Sequence, residues 1–235
     1  MTRPAAILFD VFGTLVDWRG SIRAGLAGFG AQRRIEADWV GLTDAWRGAY
    51  KPAMDRVRRG EVPWTNLDEL HRDALLALLP RFGIPALPVD DLDSLVALWH
   101  RLTPWPDSLS GLSLLKRHFI IASLSNGHVA LQVNLAKHTG FPWDMIFAAD
   151  LFGHYKPDAE TYLGACGFLG LPAGAVMLAA SHNEDLAAAR ALGLQTAFIS
   201  RPMEFGAPDE RARPDQDWEI AASSVEELAE KLALR

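Results

Sequence analysis

The chain has little of what would commit a protein early to a structural class. Its 235 residues include one cysteine, Cys166, so no internal disulfide forms, and a packed structural role is expected for that thiol. It has no basic excess: 23 Lys and Arg against 29 Asp and Glu leave a net charge of −6, which argues against nucleic acid as a partner. A small anionic substrate stays open, because local Arg and Lys residues decide that. No apolar run reaches the roughly 20 residues that cross a bilayer, so no membrane partner is expected. Signal-peptide character is missing as well, since Arg3 is followed too soon by Asp10, and a cytoplasmic location is the expectation. Neither a Gly-x-Gly-x-x-Gly turn nor a phosphate-loop Gly-x-x-x-x-Gly-Lys pattern occurs, which sets aside the common nucleotide-binding folds. Internal repeats, low-complexity tracts and long linkers are also missing.

What remains is the composition of a globular protein, 49% hydrophobic and 22% charged. The length suits one large domain or a core with an inserted subdomain. The most informative segment is Ala5-Ala6-Ile7-Leu8-Phe9-Asp10-Val11-Phe12-Gly13-Thr14-Leu15. A short apolar run without alternation suits a strand buried on both faces of a parallel sheet. Asp10 then stands at the strand's carboxyl end, where open α/β sheets place their ligands.

From 18 to 100 the pattern is helical with few convincing strands. A helix is predicted over 43–59, with Pro52 as a break or kink. The segment 66–79 puts Leu67, Leu70, Ala74, Leu75 and Leu78 on one face, and 90–102 repeats the theme with Leu92, Leu95, Val96 and Trp99. From Trp105 strands and helices alternate. Strands are predicted over 118–124, 145–149, 175–180 and 195–200, and helices over 129–139, 158–169, 184–192 and 226–234. The segment 206–217 reads as a surface loop. Repeated β-α units imply a parallel sheet with right-handed crossovers.

Four polar clusters follow predicted strands: Asp10 with Thr14, Ser125 with Asn126, Lys156, and Ser181 to Asp185. Parallel strands bring their carboxyl ends to one edge, so these distant residues are expected to meet. Taken in this order, the clusters resemble the motifs of the haloacid dehalogenase superfamily, whose first motif is D-x-[DFY]-G-T-[LV]. The Phe12 version is similar to the type II, L-2-haloacid dehalogenase branch. The resemblance spans nearly the whole chain and implies an α/β fold, a Rossmann-like parallel-sheet core at 1–16 and 101–235 with a helical cap inserted at 17–100.

The resemblance implies that Asp10 is a nucleophile, attacking an electrophilic carbon and leaving an ester that water cleaves. Phosphatase relatives carry a second Asp where Phe12 stands; halide is a leaving group that needs no proton, so an apolar side chain is acceptable there. Lys156 is expected to hold Asp10 ionised. Asp185 either orients Lys156 or activates the hydrolytic water. Thr14 and Ser181 complete the catalytic set. The expected substrate- and halide-binding set is Val11, Phe12, Trp18, Arg47, Trp46, Ser125, Asn126, Tyr162, His182 and Asn183. Ser125 is implied to help bind the substrate carboxylate, Asn126 to lie near the departing halide, and Arg47, in Trp46-Arg47, to reach it from the cap. Tyr162 matches a family tyrosine by its spacing from Lys156, and Trp18 and Trp46 are the candidates for an aromatic pocket wall. The last motif departs from the family's Ser-Ser-Asn-x-x-Asp: here it is Ala180-Ser181-His182-Asn183-Glu184-Asp185, with His182 at the asparagine position. A histidine donor there suits a poorly polarisable leaving group such as fluoride.

The leading expectation is thus a dehalogenase of short (L/S)-2-haloacids, with fluoroacetate in reach, using water and neither cofactor nor metal. Homodimers are common in the family. The alternatives are a magnesium-dependent phosphatase, with Glu184, Asp185 and Asp10 as oxygen ligands, and a non-catalytic binding protein on the same fold.

Overall fold

The apolar run that opens the chain forms a strand in which every residue is buried. In the computed structural model of the protein, which describes residues 2–233, this strand lies inside a six-stranded sheet. The elements in chain order are β1 (Ala6–Phe9), β2 (Val16–Asp17), α1 (Trp18–Arg33), α2 (Trp39–Arg58), α3 (Leu67–Leu78), α4 (Val89–Val96), β3 (Thr103–Pro104), α5 (Ser108–Leu115), β4 (Ile120–Ser125), α6 (Val129–Thr139), β5 (Met145–Ala148), α7 (Ala149–Phe152), α8 (Ala159–Leu169), β6 (Val176–Ala180), α9 (Asn183–Ala191), β7 (Gln195–Ile199), β8 (Ile220–Ala222) and α10 (Val225–Ala233).

The sheet order is β5-β4-β1-β6-β7-β8, and every pairing is parallel. Phe9 is in register with Ser123 of β4 and Ala179 of β6, so β6 runs one residue and β4 two residues beyond the end of β1. Chain order reverses at β1, with β4 on one side and β6 on the other; the crevice at such a switch point is where open α/β sheets bind ligands. Asp10 continues β1 by one hydrogen bond, its N–H donating to the Ala179 carbonyl at 3.1 Å.

Helices α1 to α4 form a layer over this edge. Their starts follow from capping: Asp17, Asp38 and Asn66 each accept a hydrogen bond from an N–H of the first turn. The layer closes on tryptophans. Trp99 stacks on Trp18 and His71, meets Trp46 edge-on, and touches Phe12 with centroids 6.0 Å apart. Aromatic contact therefore joins the layer to the turn after β1. The two ends of the layer come together where β2 pairs antiparallel with β3 through Val16–Pro104 and Asp17–Thr103.

The differences from the sequence expectation are local. Pro52 does not break its helix: α2 runs on to Arg58. Proline removes one backbone donor and crowds the carbonyl four residues earlier; here that residue is Gly48, Pro52 itself is exposed, and burial of Trp46 and Met54 on either side holds the helix. The 90–102 helix ends as α4 at Val96 and continues as a 3-10 turn to His100. Helix α5 and the three-residue strand β8 carried too little periodicity to be read. In the last helix, predicted to Leu234, Leu234 lies outside the described residues. No helix among the described residues is long and apolar enough to cross a membrane.

Candidate active site

The segments that follow β1, β5, β6 and β7, together with α2 of the helical layer, bring six charged groups to one place. Asp10 follows β1 and is 7% exposed. Its Oδ1 accepts from Lys156 Nζ at 2.8 Å, and its Oδ2 accepts from Thr14 Oγ1 at 2.7 Å and faces His182 Nδ1 at 3.2 Å. Lys156 also donates to Asp185 Oδ2 at 2.6 Å, and Tyr162 donates to Asp185 Oδ1 at 2.6 Å. Ser181 Oγ stands 3.1 Å from Thr14 Oγ1, and the Ser181 N–H donates to the same threonine at 2.9 Å. The helical layer supplies Arg47 on α2. Its guanidinium lies between two rings, 5.1 Å from Trp18 and 4.2 Å from Tyr50, and its Nη1 is buried with no hydrogen-bond partner. Such an orphaned cationic donor is a ready seat for an anion.

Glu204, in the loop after β7, was not anticipated from the sequence. It is buried; Oε1 and Oε2 lie 3.1 and 3.2 Å from His182 Nε2, and Trp18 Nε1 donates to Oε1 at 3.1 Å. Gly13, with φ +86°, makes room for it, since a β-carbon there would come within 2.2 Å of Glu204 Oε1. The signal available in the sequence was position alone: Glu204 follows a strand that ends on the same edge as the other clusters. Tyr50, one helical turn beyond Arg47, was also missed.

Charge is balanced here, with Asp10, Asp185 and Glu204 facing Lys156, His182 and Arg47. Burial opposes the charge on Asp10, but Lys156 and His182 outweigh it and hold the carboxyl well below its usual range. Burial likewise opposes the charge on Lys156, yet Asp10 and Asp185 push it above its ordinary value. Against the same burial, Glu204 and Asp10 push His182 up to about 10, which makes it a cation at neutral pH. Glu204 is held down, against burial, by His182 and Arg47. Burial and the Asp185 charge push the Tyr162 phenol up, so it stays a donor.

A cavity of about 420 Å³ opens onto this network, lined by Asp10, Phe12, Arg47, Asn126, Lys156 and His182, with Tyr50 and Tyr162 beside them. Asn126 Oδ1 accepts from the Lys156 backbone N–H at 2.7 Å, tying two of the strand-end loops together.

Five of the expected binding residues do not line this cavity. Trp46 is fully buried and donates to the His71 carbonyl at 2.9 Å; Trp18 backs Arg47 and Glu204 from behind. Both belong to the aromatic core of the layer, because a large apolar ring there is worth more packed than facing a polar cavity. Val11 is buried in the same core. Ser125 Oγ is turned inward, accepting from Gln132 Nε2 at 2.8 Å and the Gly127 N–H at 3.1 Å. Asn183 points away to Arg213, Asp215 and Trp218, where it anchors the loop before β8. Cys166 is buried and free.

The family model of haloacid dehalogenase-like hydrolases matches residues 4–193. The (S)-2-haloacid dehalogenase 4A of Burkholderia cepacia is 29% identical over 204 residues, 83% of each chain. Two crystal structures are similar throughout. One, of an L-2-haloacid dehalogenase, is 53% identical with TM-score 0.92, over 97% of this chain and 99% of the other. The second, of a defluorinating L-2-haloacid dehalogenase, is 44% identical with TM-score 0.95, over 98% and 95%. The family match runs from before β1 to beyond α9 and takes in Asp10, Lys156 and Asp185, so this chain belongs to the haloacid dehalogenase-like hydrolases.

Proposed function

We propose that the protein is a hydrolytic dehalogenase that converts short (S)-2-haloacids, fluoroacetate among the haloacids it accepts, to hydroxyacids and halide through an ester on Asp10. One observation carries this reading. An ionised, buried carboxylate faces a cavity that also holds an unpaired guanidinium, and the side chain beside it, Phe12, is apolar. A carboxylate can displace halide from carbon, and the departing anion needs a donor to receive it rather than an acid to protonate it.

The hydrogen bonds suggest how the work divides. A carboxylate oxygen has two in-plane lone pairs; Oδ2 of Asp10 has both engaged by Thr14 and His182, while Oδ1 keeps one free beside Lys156. Oδ1 is therefore the nucleophile in this reading. Lys156 has three N–H donors and spends two on Asp10 and Asp185, which leaves one for the substrate carboxylate. Oδ1 attacks C2 opposite the halide, the C–halogen bond breaks with its electron pair, and Arg47 with Asn126 receives the halide. Asp185, with both oxygens held by Lys156 and Tyr162, acts as an anchor.

Esterification removes the negative charge of Asp10 that helped to keep His182 protonated. His182 then releases its Nδ1 proton to solvent, keeps the Nε2 proton against Glu204, and Nδ1 is free to accept a proton from water beside the Asp10 carbonyl carbon. Water adds to that carbon, the bond to the substrate oxygen breaks, and the alkoxide takes the proton back from His182. The Asp10 carboxylic acid then passes its proton to Nδ1, which restores the Asp10 carboxylate and the His182 cation. The same cation on Nδ1, together with Arg47, suits fluoride, a small anion that asks for strong donors.

Two units belong to this reading: a core of 1–16 and 101–235 and a cap of 17–100 whose motion gates the cavity. The β2–β3 pairing, which joins the two ends of the cap, supports it. So does a place in the cytoplasm for a chain with one buried thiol. A homodimer is proposed as well; the exposed Leu151, Leu163 and Phe168 on α7 and α8 offer an apolar face.

The test is halide release from L- and D-2-chloropropionate, chloroacetate and fluoroacetate in chelator, beside Asp10→Asn and a magnesium-supplemented phosphomonoester assay. Chelator-resistant, Asp10-dependent halide release supports the reading. Magnesium-dependent phosphate release without halide release overturns it in favour of a phosphatase.

A further inference from the structure

Away from the cavity, three side chains from three elements converge between the helical layer and the sheet. Asp68 lies in the first turn of α3, His100 ends the 3-10 turn after α4, and His128 directly precedes α6. One ligand atom from each falls within 4.8 Å of the other two. His100 Nε2 is 3.0 Å from both Asp68 oxygens, and His128 Nε2 is 3.5 Å from Asp68 Oδ2. We infer that Asp68, His100 and His128 bind a divalent late-transition cation of the zinc class and tie the helical layer to the loop that carries Asn126.

The spacing fits the ion. Ligands at about 2.0–2.1 Å in a tetrahedron stand roughly 3.3 Å apart. A hydrogen-bonded ion pair accounts for Asp68 and His100, but not for His128. His128 Nε2, 3.5 Å from Asp68 Oδ2, is too far for a good hydrogen bond, and its Nδ1 is buried with no partner. Asn134 Nδ2 lies 3.0 Å from His100 Nδ1; with its amide turned over, Asn134 accepts from that nitrogen and leaves Nε2 to the ion. Two imidazoles and one carboxylate favour zinc-class ions over magnesium or calcium. A groove of about 360 Å³, lined by Asn66, Asp68, Glu69 and His100 among others, provides an approach and room for water as fourth ligand. None of the three ligands lines the catalytic cavity.

The site is independent of the dehalogenase reading, and so is its test. The full chain, freed of metal by chelator dialysis, is titrated calorimetrically with zinc chloride, with magnesium chloride as comparison. The expected result is one equivalent bound at micromolar or tighter Kd, a rise in melting temperature, and added hydrogen-exchange protection around both Asp68 and His128. His128→Asn, which puts a good capping residue before α6 where His128 makes no cap hydrogen bond, and Asp68→Asn each weaken zinc by about tenfold or more while melting close to the parent without metal. No zinc binding, or binding that neither substitution weakens, overturns the site. Binding that protects only one of the two segments overturns the tie.

Discussion

Glu204 grips His182: both its oxygens lie within 3.2 Å of Nε2, although the two residues are 22 positions apart on loops after different strands. The opposite ring nitrogen faces Asp10 at 3.2 Å. The Glu204 carboxylate, the His182 imidazole and the Asp10 carboxylate thus stand in line, and the carboxylates on either side raise the proton affinity of the ring between them.

Glu204→Gln removes the largest influence raising His182. An alkaline limb of kcat/KM set by His182 is expected near 10 in the parent and is expected to move toward neutral pH in the variant, with turnover slower by about 10²-fold and KM little changed. A pH–rate profile from 6 to 11 checks this; a limb that stays near 10 removes Glu204 from the argument.

The same group makes stability depend on pH. Its folded pKa of about 10 lies above the ordinary 6.5, so the folded state binds the extra proton between those values. Its stabilising contribution is complete below about 6.5, declines as pH rises, and is gone above about 10. The melting-temperature difference between the parent and His182→Asn is expected to shrink across that window.

Arg47→Lys keeps the charge but loses the planar group held between Trp18 and Tyr50. Halide release falls by roughly 10–100-fold, more with fluoroacetate than with chloroacetate, because fluoride leans hardest on its donors. Steady-state kinetics on the two acids read the difference.

If Asp10 carries the ester, the product hydroxyl of a first turnover comes from Asp10 and not from solvent. Single turnover in ¹⁸O-water is expected to give unlabelled hydroxyacid and label in Asp10, by mass spectrometry. Asp10→Asn is expected to lose activity by on the order of 10³-fold or more while staying folded.

Phe12→Asp does not create a phosphatase. Phe12 is 3% exposed and packs on Trp99, so a carboxylate there is desolvated and unpaired. The substitution costs about 3 kcal/mol and roughly 6–12 °C in Tm. Calorimetry, with magnesium-supplemented phosphate release alongside, tests it.

Much of the site was legible because parallel strands have one functional edge. An apolar run ending in Asp10, and later strands ending near Asn126, Lys156 and Asp185, bring those groups together once the strands pair in register. Arg47 was legible through the resemblance of Trp46-Arg47. Val11, Trp18, Trp46, Ser125 and Asn183 were expected at the cavity and do not line it, because residue type and position do not say which way a side chain turns. Burial turned the tryptophans into the core, and local donors took Ser125 and Asn183.

The sequence by itself determined the parallel α/β core, the helical segment that follows β1, and which charged groups stand at the strand ends, since hydrophobic periodicity and strand polarity are local properties. Tertiary structure alone decided that Glu204 sets the charge of His182, that Arg47 keeps an unpaired donor, and that Asp68, His100 and His128 meet. Each depends on groups from different segments being held in contact, and only packing, with the desolvation it brings, settles distance and proton affinity together.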